Sequence, residues 1–290
     1  MQIGLIDADG GRFPNLALMK ISAYHKARGD RVEWWNGLLR YDRVYVAKVF
    51  TDTYTKEQPF VIQAAEVIRG GTGYDLQNKL PDEIEHQYPD YSIYQYKNAL
   101  GFITRGCPRS CPFCIVSEKE GRKVRRVAEL AEFYKGQPVI TLLDANITAS
   151  QECERIFDEL IETGAQIDFS QGLDVRLLTD KGAAQLNKMR LKRLHFAWDN
   201  YEMQTYEKLK ATRPLLEYEE RRLRVYVLTN YNTTLEQDLE RVYKLRELGF
   251  DPYVMIYDKP KAPREIRRLQ RWVNNKFVWY KVERFEDYKA

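Results

Sequence analysis

At 290 residues, with 44% hydrophobic and 30% charged side chains, the chain suits one large domain or a small domain plus a medium one, and it is too apolar for a disordered polypeptide. A net charge of +4 permits an anionic partner without demanding one. Four cysteines, three of them clustered, argue against a secreted disulfide scaffold, and no apolar run approaches the length of a membrane span.

In chain order, residues 2–7 predict a strand that the chain enters directly, with no basic leader, so the expected location is cytoplasmic. Residues 14–28 predict an amphipathic helix through Leu16, Leu18, Met19, Ile21, Ala23 and Tyr24. His25 on it reads as a satisfied helical histidine rather than a ligand. Residues 30–35 and 43–50 predict two more strands. Residues 67–73 combine a strand end with Gly70, Gly71 and Gly73, which read as a tight turn before a phosphate cradle. A proline- and tyrosine-rich connector over 80–96 follows. Strands alternating with helical segments give a small parallel α/β domain over residues 1–97.

Residues 101–114, GFITRGCPRSCPFC, place Cys107, Cys111 and Cys114 on a loop after a short strand at 101–104. Pro108 and Pro112 keep the loop from becoming helix, so all three sulfurs are free to turn toward one point. A closed structural zinc site wants four protein ligands. Cys153 lies in a helical stretch and His195 in a predicted strand, so zinc lacks an obvious fourth partner. A four-iron cluster on three cysteines, with one iron open to an exchangeable ligand, fits the count better. The basic run after the loop, Arg122, Lys123, Arg125 and Arg126, reads equally as a solvated face and as a contact for an anionic group.

From there strand and helix alternate. Strands are predicted at 139–143, 166–171, 193–198, 223–228 and 252–257, and helices at 127–135, 149–163, 179–189, 201–212 and 234–248. Thr148 or Ser150 and Thr233 are the expected caps. Parallel barrels carry their chemistry at the carboxyl ends of the strands. That rule selects Asp144, Asn146, Gln171, Asp174, Asp199, Asn200, Thr229, Asn230 and Asp258. Cys153 reads as a small buried residue of its helix. In the tail, 259–290, Ile266, Leu269, Trp272 and Val273 fall at helical spacing. They predict a capping helix with arginines outward, the alternative being a basic stripe for nucleic acid.

The run Cys107-Pro108-Arg109-Ser110-Cys111-Pro112-Phe113-Cys114 resembles the cluster loop of radical S-adenosylmethionine (SAM) enzymes, including the aromatic residue before the last cysteine. The resemblance implies an open (βα)6 partial TIM barrel over 98–258, preceded by an α/β domain like the cobalamin-binding domains of many such proteins and followed by a capping segment over 259–290. It implies a [4Fe-4S] cluster on Cys107, Cys111 and Cys114, and an open iron that binds SAM. An electron from the cluster then cleaves SAM to methionine and a 5'-deoxyadenosyl radical that abstracts hydrogen from substrate. SAM contacts are implied for Phe113, beside the adenine, and for Asp144, Asn146, Gln171, Arg176 and Asp199. The Asp-x-His-x-x-Gly motif of cobalamin domains is replaced by Asp7-Ala8-Asp9-Gly10-Gly11, so cobalamin is not expected. A reductant such as flavodoxin or ferredoxin is the implied partner, and the substrate is a small molecule, a peptide or a nucleobase. RNA methylthiotransfer would need three more cysteines in the first domain, and residues 1–106 contain none. The competing expectation of another class is a non-catalytic, zinc-stabilised nucleic-acid-binding protein that uses the basic tail.

Overall fold

The chain folds into two units, Met1–Ile103 with Ala128–Pro138, and Thr104–Val127 with Val139–Ala290. The computed structural model describes residues 1–11, 13–56 and 61–289.

In the first unit, β1 (Gln2–Asp7), α1 (Leu16–Ala27), β2 (Arg31–Trp34), β3 (Tyr41–Ala47) and β4 (Ala64–Gly70) form a parallel sheet in the order β2-β1-β3-β4. The Asn15 side chain accepts from Leu18 N at 3.2 Å and starts α1, whose Leu18 and Ile21 bury against Ile3, Leu5 and Tyr45. His25 is buried between Asp30 and the Tyr45 hydroxyl, the satisfied role expected of it. A Cβ on Gly71, at φ +104°, would stand 2.3 Å from the Lys48 carbonyl oxygen, so the glycine cluster serves a tight turn against the end of β3.

After β4 come the short α2 (Asp82–Glu85), a 3-10 turn at Tyr91–Tyr94, and β5 (Ala99–Gly101). The helix expected over 127–135 is a single 3-10 turn, Leu130–Glu132. Glu129 and Glu132 close that turn on themselves, Gly136 at φ +91° prevents continuation, and Phe133, 3% exposed, is drawn over Gly101. Tertiary packing of one aromatic ring outweighs helix propensity here.

The second unit begins with β6 (Thr104–Arg105), so the strand expected over 101–104 is two short ones. Then follow α3 (Val116–Glu120), β7 (Arg125–Arg126), β8 (Val139–Leu142), α4 (Cys153–Glu162), β9 (Gln166–Phe169), α5 (Asp180–Lys188), β10 (Arg190–Ala197), α6 (Met203–Thr212), β11 (Leu223–Thr229), α7 (Leu235–Glu247), β12 (Asp251–Ile256), α8 (Arg264–Asn274) and α9 (Lys276–Lys281). Strands β8 to β12 are parallel and lie side by side in sequence order. One sheet face is fully apolar: Leu142, Phe169, Leu194, Phe196, Val225 and Val254 are at most 2% exposed. Helices cover it, with Phe157 of α4 against Phe169, and Val242 of α7 and Leu269 of α8 clustered with Val254.

Two of the expected caps fall elsewhere. Helix α4 starts at Glu152 without a side-chain cap, because Thr148 and Ser150 serve the 3-10 turn Ile147–Ala149 and the bend after it. Thr234, not Thr233, caps α7 in a reciprocal box with Gln237. In the tail, Ile266, Leu269, Trp272 and Val273 are all buried. Arg268, expected outward, turns back to hydrogen-bond the carbonyls of Phe285 and Tyr288. No helix among the described residues is long and apolar enough to cross a membrane.

Candidate functional site

The three cysteines occupy the loop between β6 and α3, and both ends of that loop are fastened. At the start, Asp144, only 4% exposed, accepts from the backbone N–H and the hydroxyl of Thr104. Gly106, at φ +105°, lets the chain pass so close to Lys123 that a Cβ would stand 2.3 Å from its carbonyl oxygen. Glu120 accepts from Gly106 N at 3.1 Å and from Arg105 at 2.9 Å, and Cys107 N donates to Gly121 O at 3.1 Å. Within the loop, Cys114 N donates to Cys111 O at 2.9 Å, which folds the last two cysteines into one turn.

Asp174 holds the loop from the side. It receives Arg109 Nε at 2.8 Å and Arg176 at 2.8 and 3.1 Å. Burial pushes its carboxyl up, but the two guanidinium partners outweigh this and hold it below the ordinary carboxylate range. Asn146, 4% exposed, donates to Cys107 Sγ at 3.4 Å and accepts from the Thr148 hydroxyl at 2.9 Å. Among the described residues it is the one side chain that hydrogen-bonds a loop sulfur.

All three loop thiols are free, Cys107 and Cys111 half-buried and Cys114 exposed. Burial, then the negative charge of Asp199 and of the neighbouring thiols, pushes Cys111 up from the ordinary thiol range; Cys114 is raised by burial and the same charges. Asp199, after β10, therefore faces the cysteine loop. It has no hydrogen-bond partner among the described residues, and burial raises its carboxyl to about 6 against the pull of Arg241 and Arg176. Beneath it, Arg241 and Asp238 of α7 form an ion pair at 0% exposure. Arg241 also donates to the carbonyls of Trp198 and Leu228, tying the carboxyl ends of β10 and β11 together.

An aromatic cluster stands beside the loop. Phe113 meets Tyr231 edge-on at 5.3 Å, and Tyr231 meets Tyr257 at 5.0 Å. Asn230, at φ +62°, donates to Tyr257 O at 2.8 Å and fixes the turn that presents Tyr231.

Cys107, Cys111 and Cys114 thus share one fastened loop, with Asn146 on Cys107, Asp174 clamping Arg109 and Arg176, and Asp199 and Arg176 near enough for their charges to act on Cys111. Asp144 is consumed in holding Thr104. Gln171 is exposed and makes no hydrogen bond among the described residues. Cys153 stands apart in α4, its thiol pushed up to about 12 by burial. His195 donates from Nδ1 to Phe169 O at 3.0 Å, and neither residue is grouped with the loop thiols among the described residues. Arg126 pairs with Glu159 at 2.7 Å and Arg125 donates to Glu120 O, which spends much of the basic run on local structure. Among the described residues, no group of three or more His, Cys, Asp or Glu is gathered in a way that holds a metal ion. The donor set is three soft thiols without a fourth protein partner, which suits iron–sulfur chemistry better than structural zinc. Sequence reading missed Arg241 and Asp238. An Asp three residues before an Arg on a charged helix looks like an ordinary surface pair. The chain matches no protein-family model, and no curated protein is similar to it.

Proposed function

We propose that the protein is a radical SAM enzyme. The observation that carries this is the fastened loop with three free thiols and no fourth ligand, set against unpartnered Asp199 and the Phe113–Tyr231 pair. Five parallel strands in sequence order with helices on one face are the arrangement of an open (βα) barrel, and we read the second unit as one. Its chemistry then lies at the carboxyl ends of the strands, where the cysteine loop and Asp199 stand.

Cys107, Cys111 and Cys114 would hold a [4Fe-4S] cluster, and a metal site of this kind closes as it fills. A cluster held there would supply single-electron reduction of bound SAM. The protein's own part is positioning and exclusion of water. Asn146 donates to the Cys107 sulfur. Asp199, with no hydrogen-bond partner among the described residues, would accept from a cationic or hydroxyl group of SAM, and Phe113 would flank its adenine. Arg109 and Arg176, locked by Asp174, keep the loop at a fixed height.

The test is anaerobic reconstitution with iron and sulfide, then dithionite and SAM, with metal analysis and chromatography of 5'-deoxyadenosine. About four irons per chain and deoxyadenosine that disappears in Cys111→Ala support the reading. Stoichiometric zinc with neither iron nor deoxyadenosine overturns it in favour of a zinc-stabilised protein.

A further inference from the structure

The sheet face opposite the helices of the second unit is polar. Thr141, Asp168, Arg193, His195, Arg224, Tyr226 and Tyr253 alternate with the buried residues of β8 to β12 and stand in register across it. Strand β10 reaches this arrangement through an irregularity. Its register shifts between Leu191 and Arg193, so Leu191, Leu194 and Phe196 all bury on the helix side while Arg193 and His195 share the open side. Bulges of this kind re-aim side chains beside functional sites.

The charges on this face are compensated with one exception. Asp168 pairs with Lys192 at 3.1 Å, and Arg224 reaches Asp251 at 2.8 and 3.0 Å. Arg193 has no ion pair or hydrogen bond among the described residues. Beside it, His195 is 6% exposed and stacks on Tyr226 at 5.0 Å and 7°. Its Nδ1 donates to the Phe169 carbonyl at 3.0 Å, which only accepts, so Nε2 of the neutral ring is an acceptor, and it has no partner. The hydroxyls of Tyr226 and Tyr253 are likewise without partners among the described residues. An imidazole acceptor, two phenols and an unpaired guanidinium share this face, and no side chain of the described residues satisfies them.

We propose that this face is a binding wall for an elongated small anion, with Arg193 taking its carboxylate or phosphate and His195 Nε2 accepting from an N–H or O–H farther along it. That this anion is the substrate rests on the radical SAM reading; its binding does not. If the reaction occurs at the cysteine loop, the ligand runs up β10 from Arg193 toward Asp199. Six residues of strand rise roughly 20 Å, of which the arginine side chain covers part, so a nucleotide or a peptide end fits and a two-carbon acid does not.

The test is calorimetric titration of the full chain, iron-free and iron-loaded, with uridine 5'-monophosphate against uridine and N-acetyltyrosine against its amide. One anion of the two is expected to bind about tenfold or more tighter than its neutral counterpart, as one charge-assisted pair supplies. That preference should vanish in Arg193→Gln and survive largely in Arg193→Lys, which also covers a glutamine variant that misfolds. His195→Phe should weaken charged and neutral forms alike and leave their ratio unchanged. The arm that responds distinguishes phosphate from carboxylate. Equal affinity for charged and neutral forms, a preference that persists in Arg193→Gln, or no binding of any probe overturns the proposal. Because the iron-free chain is titrated too, absent deoxyadenosine and absent anion preference are separate failures.

Discussion

Asp199 sits where a single carboxylate decides how the site responds to pH. Burial lifts its carboxyl to about 6, and Arg241 and Arg176 only partly offset this. An acid whose folded value lies above its unfolded one takes up protons on folding. Its cost to stability is therefore fully present above about pH 6 and fades as pH falls toward 4. In the iron-free chain, Asp199→Asn should raise stability at pH 7.5 by about 1–3 kcal/mol and leave it unchanged near pH 4. Urea melts of both proteins at the two pH values measure this, and an equal gain at both would locate the effect in packing rather than charge. At this scale the sequence was readable where chemistry and spacing coincide. The thiols at 107, 111 and 114 announce themselves, and Asp199 follows from its place after a strand. Gln171 was selected by the same rule and lies exposed, because a strand-end position constrains the backbone and not the side chain's direction. Arg193 was passed over because it opens its predicted strand, whereas the rule applied selects residues after the carboxyl ends.

Among the elements, α7 has the most demanding task. Its Asp238 and Arg241 are wholly buried, and Arg241 spans from its own helix to the ends of β10 and β11. Asp238 Oδ2 and Arg241 Nε have no partner among the described residues, so three of the pair's five side-chain polar atoms, Asp238 Oδ1 and both Arg241 Nη atoms, carry its hydrogen bonds. Removing one partner strands the other charge in an apolar interior. Asp238→Ala should cost about 3–5 kcal/mol, whereas Glu236→Ala, at an exposed position in the first turn of α7, should leave stability nearly unchanged. Denaturant unfolding of the two variants checks the contrast, and comparable losses would show that the buried pair has no special weight. Elements were legible where a long period is unbroken: α5, α7 and the five parallel strands lie within a few residues of their expected bounds. The segment 127–135 defeated the same reading because its fate depends on Phe133 finding Gly101, a contact 32 residues away in the chain.

For the molecule as a whole, that contact means the first unit is discontinuous in sequence. Residues 128–138 return to it after the cysteine loop has been made in the other unit. The returning segment is not ornamental to the first unit. The Tyr91 hydroxyl donates to Phe133 O at 2.7 Å, Gln137 donates to the Tyr88 hydroxyl at 2.6 Å, and His86 meets Glu132 at 2.8 Å. A composition-based boundary places the connector at the edge of a domain, because nothing in the residues of 80–96 shows that their partners come from a stretch some 40 residues later. A fragment of residues 1–103 therefore lacks the ring that fills the space over Gly101, and one of residues 1–138 retains it. By analogy with emptying an aromatic site in a core, the shorter fragment should be less stable by about 3 kcal/mol. Parallel urea melts followed by tryptophan fluorescence, which both fragments carry at Trp34 and Trp35, give the difference directly. Coincident midpoints would mean that the first unit folds without its returning segment. A lower midpoint for the shorter one would mean that residues 128–138 belong to the cooperative core of the first unit, so that the chain leaves that unit and returns to it on either side of the cysteine loop.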